Sequence, residues 1–145
     1  MWDLEYLVGS TAGITQRLQF QLVRCEVLKL AIPVLHVSNS AVAEEFYCTK
    51  LGFRREFAHR ADEAKTDPCY MGLARDGVRM HVSSFSGDGV VGGVVNILVE
   101  DVDALHTELV GKRVRIDTGP VDQTWGTREM YVKDADGNSI RFIAG

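Results

Sequence analysis

The sequence predicts an α+β fold: two βαβββ modules forming a curved mixed sheet around a cleft, with the helices outside. Three observations predict it. The order strand, helix, strand, strand, strand occurs twice along residues 31–145, with a break near Gly89. Each of the two helical segments opens on a cap residue and closes on a glycine. The chain ends in a hairpin, where two strand-like runs flank Asp134-Ala135-Asp136-Gly137-Asn138. That cluster tolerates the positive φ that a tight turn demands.

Residues 1–30 are expected to be an N-terminal extension or arm ahead of a single domain at 31–145, whose modules span about 31–88 and 92–145. In the arm, Ile14, Leu18 and Leu22 fit a helical face, while Leu18, Phe20 and Leu22 fit strand alternation equally well. It either packs on a partner subunit or simply extends the chain.

The first module opens with a β-branched run at 32–37, with Pro33 near its start, where a strand tolerates it. Asn39 and Ser40 suit a helix N-cap, and Glu44 and Glu45 suit its first turn. Val42, Phe46 and Leu51, with Ala43 and Tyr47 beside them, make an apolar stripe that Gly52 terminates. Strands follow at 53–58, 69–74 and 78–85, separated by a charged loop and by the turn Arg75-Asp76-Gly77. The connection Ser86-Gly87-Asp88-Gly89 lacks a Gly-Lys-Ser/Thr ending and joins no strand to a helix, so it reads as a linker rather than a phosphate loop. The second module repeats the order. A strand at 94–99 leads to a helix capped by Asp101, striped by Val102, Leu105 and Leu109 and closed by Gly111. A short strand at 114–116 and the closing hairpin complete it.

Composition restricts the function classes. At 145 residues, with 46% hydrophobic and 25% charged content, the chain has the make-up of an ordinary globular domain. A net charge of −4 and the lack of any Lys/Arg block give no footprint for nucleic acid. No apolar run approaches the roughly 20 residues of a membrane span. Cys25, Cys48 and Cys69 form no CxxC pair, and their odd number favours reduced thiols in the cytoplasm.

Several side chains stand out for chemistry. Trp125, followed by Gly126 in polar surroundings, is either core packing or a flat stacking surface for a small organic ligand. His36 and His81 lie on strands and read as core histidines or as ligands, whereas His59 and His106 read as surface residues. Arg141 either pairs with Glu129 on the neighbouring strand or faces a carboxylate or phosphate on a ligand.

Four motifs in order resemble the glyoxalase, bleomycin-resistance and extradiol-dioxygenase superfamily. They are His36-Val37-Ser38-Asn39 with Phe46-Tyr47 and Leu51-Gly52-Phe53, then the run from Leu98 to Leu105, the stretch Trp125-Gly126-Thr127-Arg128-Glu129, and the closing hairpin with Ile140-Arg141-Phe142. The resemblance covers about 31–145 and implies a homodimer with pockets near the subunit interface. The Trp-Gly stretch is most similar to the bleomycin-resistance proteins. It implies a binder without metal or cofactor, which sequesters an antibiotic-like ligand against Trp125 and Tyr70, with Asp67 and Asp122 matching a cationic ligand. The full ligand-binding set on this reading is Trp125, Tyr70, His36, His81, Asn96, Arg128 and Arg141, with Asn96 replacing an aromatic of the family. The alternative is a metal-dependent lyase, isomerase or dioxygenase. For its metal the superfamily's positions supply His36 and His81, but also Val94 and Arg141, neither of which coordinates a metal, so Asn96 or Glu129 would have to complete the set.

Overall fold

A computed structural model describes residues 27–145. The chain divides into two units, Met1–Leu30 and Ala31–Gly145, and the second carries the fold described below. The expected arm lies, up to residue 26, outside the described residues, as does Cys25.

Ala31–Gly145 folds as two βαβββ modules, each with its own four-stranded mixed sheet. In the first, β1 (Val34–His36), β2 (Arg54–Arg60), β3 (Cys69–Arg75) and β4 (Val78–Ser83) are ordered β1-β4-β3-β2. In the second, β5 (Val94–Leu98), β6 (Ile116–Asp122), β7 (Arg128–Lys133) and β8 (Ser139–Ala144) are ordered β5-β8-β7-β6. The opening strand of each module runs parallel to its last strand and the other pairs are antiparallel, so the two sheets have one topology.

Helix α1 (Ser40–Glu44) begins at Asn39, whose side chain accepts from the Val42 amide at 3.0 Å. It continues as a π-helical segment, Glu45–Lys50, in which the Leu51 amide reaches back to the Phe46 carbonyl. The buried face is Ala43, Tyr47 and Leu51, and Val42, placed on the stripe by a 3.6 period, is 48% exposed. Helix α2 (Val102–Gly111) is capped by Asp101 as expected, but it runs through Gly111. The reversal falls on Arg113, at φ +58, because Val114 turns inward to bury its side chain and bond the Leu109 carbonyl. Strand β6 starts later and runs longer than 114–116. At Gly119, with φ +85, a Cβ would collide with the Glu129 carbonyl oxygen, so only glycine allows β6 to lie this close to β7.

Strand alternation sends one face of each sheet inward. Leu35, Val82 and Met71 share one row, and Ile97, Phe142 and Met130 share another, all within a single core cluster. Helix α1 packs on β4, and α2 on β6, β7 and β8. Among the described residues no helix is long and apolar enough to cross a membrane, and Cys48 and Cys69 are free thiols.

Polar contacts from the β7–β8 turn clasp the modules together. Asp134, 8% exposed, accepts from the Tyr47 hydroxyl (2.8 Å), the Asn138 amide and side chain (2.9 and 2.8 Å) and the Asp136 amide (2.9 Å). Asn138, fully buried, also donates to the His36 carbonyl of β1 and accepts from the Gly93 amide, both at 2.8 Å. Burial, and then the adjoining Asp134 carboxylate, raise the Tyr47 hydroxyl far above its ordinary range, so it stays a donor. Tyr47→Phe leaves Asp134 short of one donor in a buried setting. It should cost about 1–3 kcal/mol of unfolding free energy, read by urea denaturation, and a loss within error would show that the clasp carries no stability.

Candidate functional site

The face of the first sheet turned away from the core carries aromatic and imidazole side chains. Register aligns His36, Ser83, Tyr70 and His59 in one row, and Val34, His81, Gly72 and Phe57 in the next. The Phe57 ring lies directly on Gly72, where any Cβ would run into it. Phe57 stacks on Tyr70 with ring centroids 6.3 Å apart and planes within 9°, and meets His81 edge-on at 5.4 Å. The Tyr70 hydroxyl lies 2.8 Å from His81 Nδ1. Burial lowers the His81 pKa and raises that of Tyr70, so the phenol is assigned as the donor and the neutral imidazole as the acceptor. His36 stands at the edge of this face with its Nδ1 buried and unpartnered among the described residues.

The corresponding face of the second sheet is built around a carboxylate. Residues 127, 129 and 131 alternate onto one side of β7 and its entrance. Glu129, only 4% exposed, accepts from Thr127 Oγ1 (2.6 Å) and Trp125 Nε1 (2.9 Å) on one oxygen and from the Tyr131 hydroxyl on the other. The Trp125 ring sits in the β6–β7 turn, 66% exposed yet tied through its N–H. In the next row Asn96, Arg141, Tyr131 and Thr118 are aligned. The Arg141 guanidinium lies 4.9 Å from the centre of the Tyr131 ring, a cation–π contact, and its Nε is buried without a partner among the described residues.

Of the seven sequence-predicted residues, Tyr70, His81 and His36 thus share the first-module face, and Trp125, Asn96 and Arg141 share the second. No hydrogen bond, ion pair or ring contact among the described residues joins the two sets. Arg128 belongs to neither. It points to the helical side of β7, where Asp103 of α2 holds it at 2.8 and 2.9 Å and Asp122 at 3.0 Å. The acidic residues expected to meet a cationic ligand are committed as well. Asp122 pairs with Arg128, and Asp67 accepts from the Ser84 hydroxyl at 2.5 Å and from the Ser40 amide at 3.1 Å. Burial pushes the Asp67 carboxyl up, but these hydrogen bonds outweigh it and leave the pKa below the ordinary range.

Phe57 is absent from the sequence-predicted site, and Glu129 enters it only as a possible partner of Arg141 or a substitute metal ligand. The Glu129 network was signalled by hydrogen-bonding residues at i−2 and i+2, which a strand places on one face. Phe57 had no such signal, because its seat on Gly72 exists only once β2 and β3 are paired.

These residues do not fit a divalent metal. Among the described residues no three His, Cys, Asp or Glu side chains gather into a possible cation site. At the superfamily's ligand positions, Val94 has no donor atom and Arg141 carries a permanent positive charge with no lone pair to give. A separate cavity of about 550 Å³ opens between the modules on the helical side, over Leu51, Phe53, Ile97 and Phe142, and none of the seven residues lines it.

The family model described as "Glyoxalase superfamily protein" matches residues 17–144. Comparison with curated proteins finds no match for this chain. Among solved structures it is similar to the bleomycin-binding protein from bleomycin-producing Streptomyces verticillus complexed with copper(II)-bleomycin, at 28% identity and a TM-score of 0.63, over 81% of this chain and 98% of that one. It is similar in fold to a bleomycin-binding protein complexed with bleomycin (21% identity, TM-score 0.64, 81% and 99% covered). It also resembles in fold a member of the glyoxalase/bleomycin resistance protein/dioxygenase superfamily from Sphaerobacter thermophilus (21%, 0.62, 81% and 98%).

The Glu129 network makes a pH prediction. Hydrogen bonds from Thr127, then Tyr131 and Trp125, hold its carboxyl below the usual carboxylate range. A carboxyl lowered on folding stabilises the protein above its unfolded value, about 4.3, and that contribution is lost as pH falls through the lower folded value. Glu129→Gln should therefore flatten the acid limb of the stability profile below roughly pH 4. An acid limb identical in the two proteins would refute the assignment.

Proposed function

The chain belongs to the glyoxalase superfamily, and from that premise we propose that it is a cytoplasmic small-molecule binding protein of the bleomycin-resistance type, which sequesters an antibiotic-like organic ligand in the cleft of a homodimer. The observation that carries this reading is the Trp125 ring, two-thirds exposed and fixed by its hydrogen bond to buried Glu129. An indole that is both exposed and anchored presents a stacking plane without losing much side-chain freedom on binding. The likeness to the Streptomyces verticillus bleomycin-binding protein supports the same class of function.

The two open faces serve as half-sites. The Phe57, Tyr70 and His81 cluster of one protomer lies opposite the Trp125, Tyr131 and Arg141 cluster of its partner, so that dimer formation completes the cleft. Hydrogen bonding then fixes the ligand's orientation while stacking supplies most of the affinity. The metal-dependent alternative has no matching donor set and is not favoured.

Calorimetric titration with a panel of planar heteroaromatic antibiotics, bleomycin included, tests the reading. At least one should bind stoichiometrically and be recovered chemically unchanged after denaturation. Conversion to a product, or no binding across the panel, would overturn sequestration. Trp125→Ala should weaken that binding by about 1–3 kcal/mol while leaving thermal stability nearly intact. A large stability loss with unchanged affinity would assign the indole to packing instead.

A further inference from the structure

Arg141 differs from the other charged groups around this site. Arg128, on the same module, is neutralised by two carboxylates, and Glu129 accepts from three donors on its two oxygens. Arg141 enters no ion pair among the described residues, its Nε is buried without a partner, and Tyr131 beneath it offers only a ring face. The terminal guanidinium nitrogens are not enclosed in this way and make no hydrogen bond among the described residues, so they are the atoms a bound anion can reach. On either side of the row holding Arg141 and its register partner Asn96, the same face exposes Val94 (52%) and Leu98 (79%). The guanidinium and the Asn96 amide thus stand between apolar neighbours, on the face where Trp125 is tied to Glu129.

Resting on the binding reading above, we propose that the ligand of this site is an amphipathic aromatic oxyanion. Its carboxylate or phosphate docks on the Arg141 guanidinium with Asn96 beside it, and its planar body lies along Trp125. The guanidinium fork matches the geometry of both oxyanions. On this face the Glu129 carboxylate accepts from Trp125, Thr127 and Tyr131 and its charge already acts on Arg141, so a cationic ligand would have to compete with the guanidinium for it.

The test uses four probes that share one ring system: 2-naphthoate, 2-naphthyl phosphate, 2-naphthylmethanol and 2-naphthylmethylammonium. Each is titrated calorimetrically into the full chain, into Arg141→Gln and into Trp125→Ala. One or both anions should bind about tenfold or more tightly than the alcohol, the scale of one charge-assisted hydrogen bond, and whichever anion binds more tightly identifies the oxyanion. Arg141→Gln should erase that preference while the alcohol still binds and the oligomeric state is unchanged. If the ammonium or alcohol matches the anions and Trp125→Ala still weakens it, the binding reading survives and the oxyanion inference falls. An anion preference that persists in Arg141→Gln overturns it as well, as does a variant that loses its oligomeric state, which would make Arg141 a subunit contact. If no probe binds, the inference is overturned, and the antibiotic panel decides the binding reading separately.

Discussion

Asp134 accepts a hydrogen bond from Tyr47, a residue 87 positions earlier in the chain and in the other module, while it organises its own turn through Asp136 and Asn138. A buried carboxylate is tolerated only when its hydrogen-bonding capacity is filled, so tight turn and inter-module contact require each other. Asn138 extends the constraint by joining the end of β1 to the residue before β5. The two sheets therefore meet through their turns and their core, and their other faces are left without any such demand. Those bare faces are where the candidate half-sites lie.

Each face presents aromatic surface in a different way. On the first sheet the surface is generated by an absence: Gly72 lets Phe57 lie flat, and Tyr70 and His81 then lock to each other beside it. On the second sheet a buried carboxylate gathers an indole, a hydroxyl and a phenol. Both devices spend local polar groups on one another, which leaves an ordered and largely apolar surface with few free donors. The polarity that remains, Arg141 and Asn96 on one face and His36 Nδ1 on the other, is correspondingly informative about a ligand.

The module order, the caps at Asn39 and Asp101 and the closing hairpin were legible because each is a local matter of turn chemistry or periodicity. Trp125 and Arg141 could be singled out for the same reason, as unusual residues on recognisable strands. What was not legible depends on pairing. Val42 and its neighbour Ala43 fit a helical stripe equally well, and only docking of the helix shows that the buried line runs through Ala43, Tyr47 and Leu51. Gly111 was given the turn that Arg113 makes because burial of Val114 sets where the helix ends. The sidedness of Arg128 followed from its partner Asp103, 25 residues away, and no short-range pattern encodes that.

The π-helical turn at Glu45–Lys50 gives the module junction an unusual dependence on chain length. Each residue of an α-helix advances the side-chain direction by about 100°, and the wider turn absorbs one residue more than a regular helix would. Were this segment one residue shorter, a regular helix could still join Asn39 to Gly52 with every cap intact. If the residue lost lay ahead of Tyr47, that side chain would be carried round the helix axis, away from Asp134, although no residue of the clasp had been replaced. The junction between modules is thus recorded partly as a count of residues, and a comparison of relatives by residue identity alone would miss its loss.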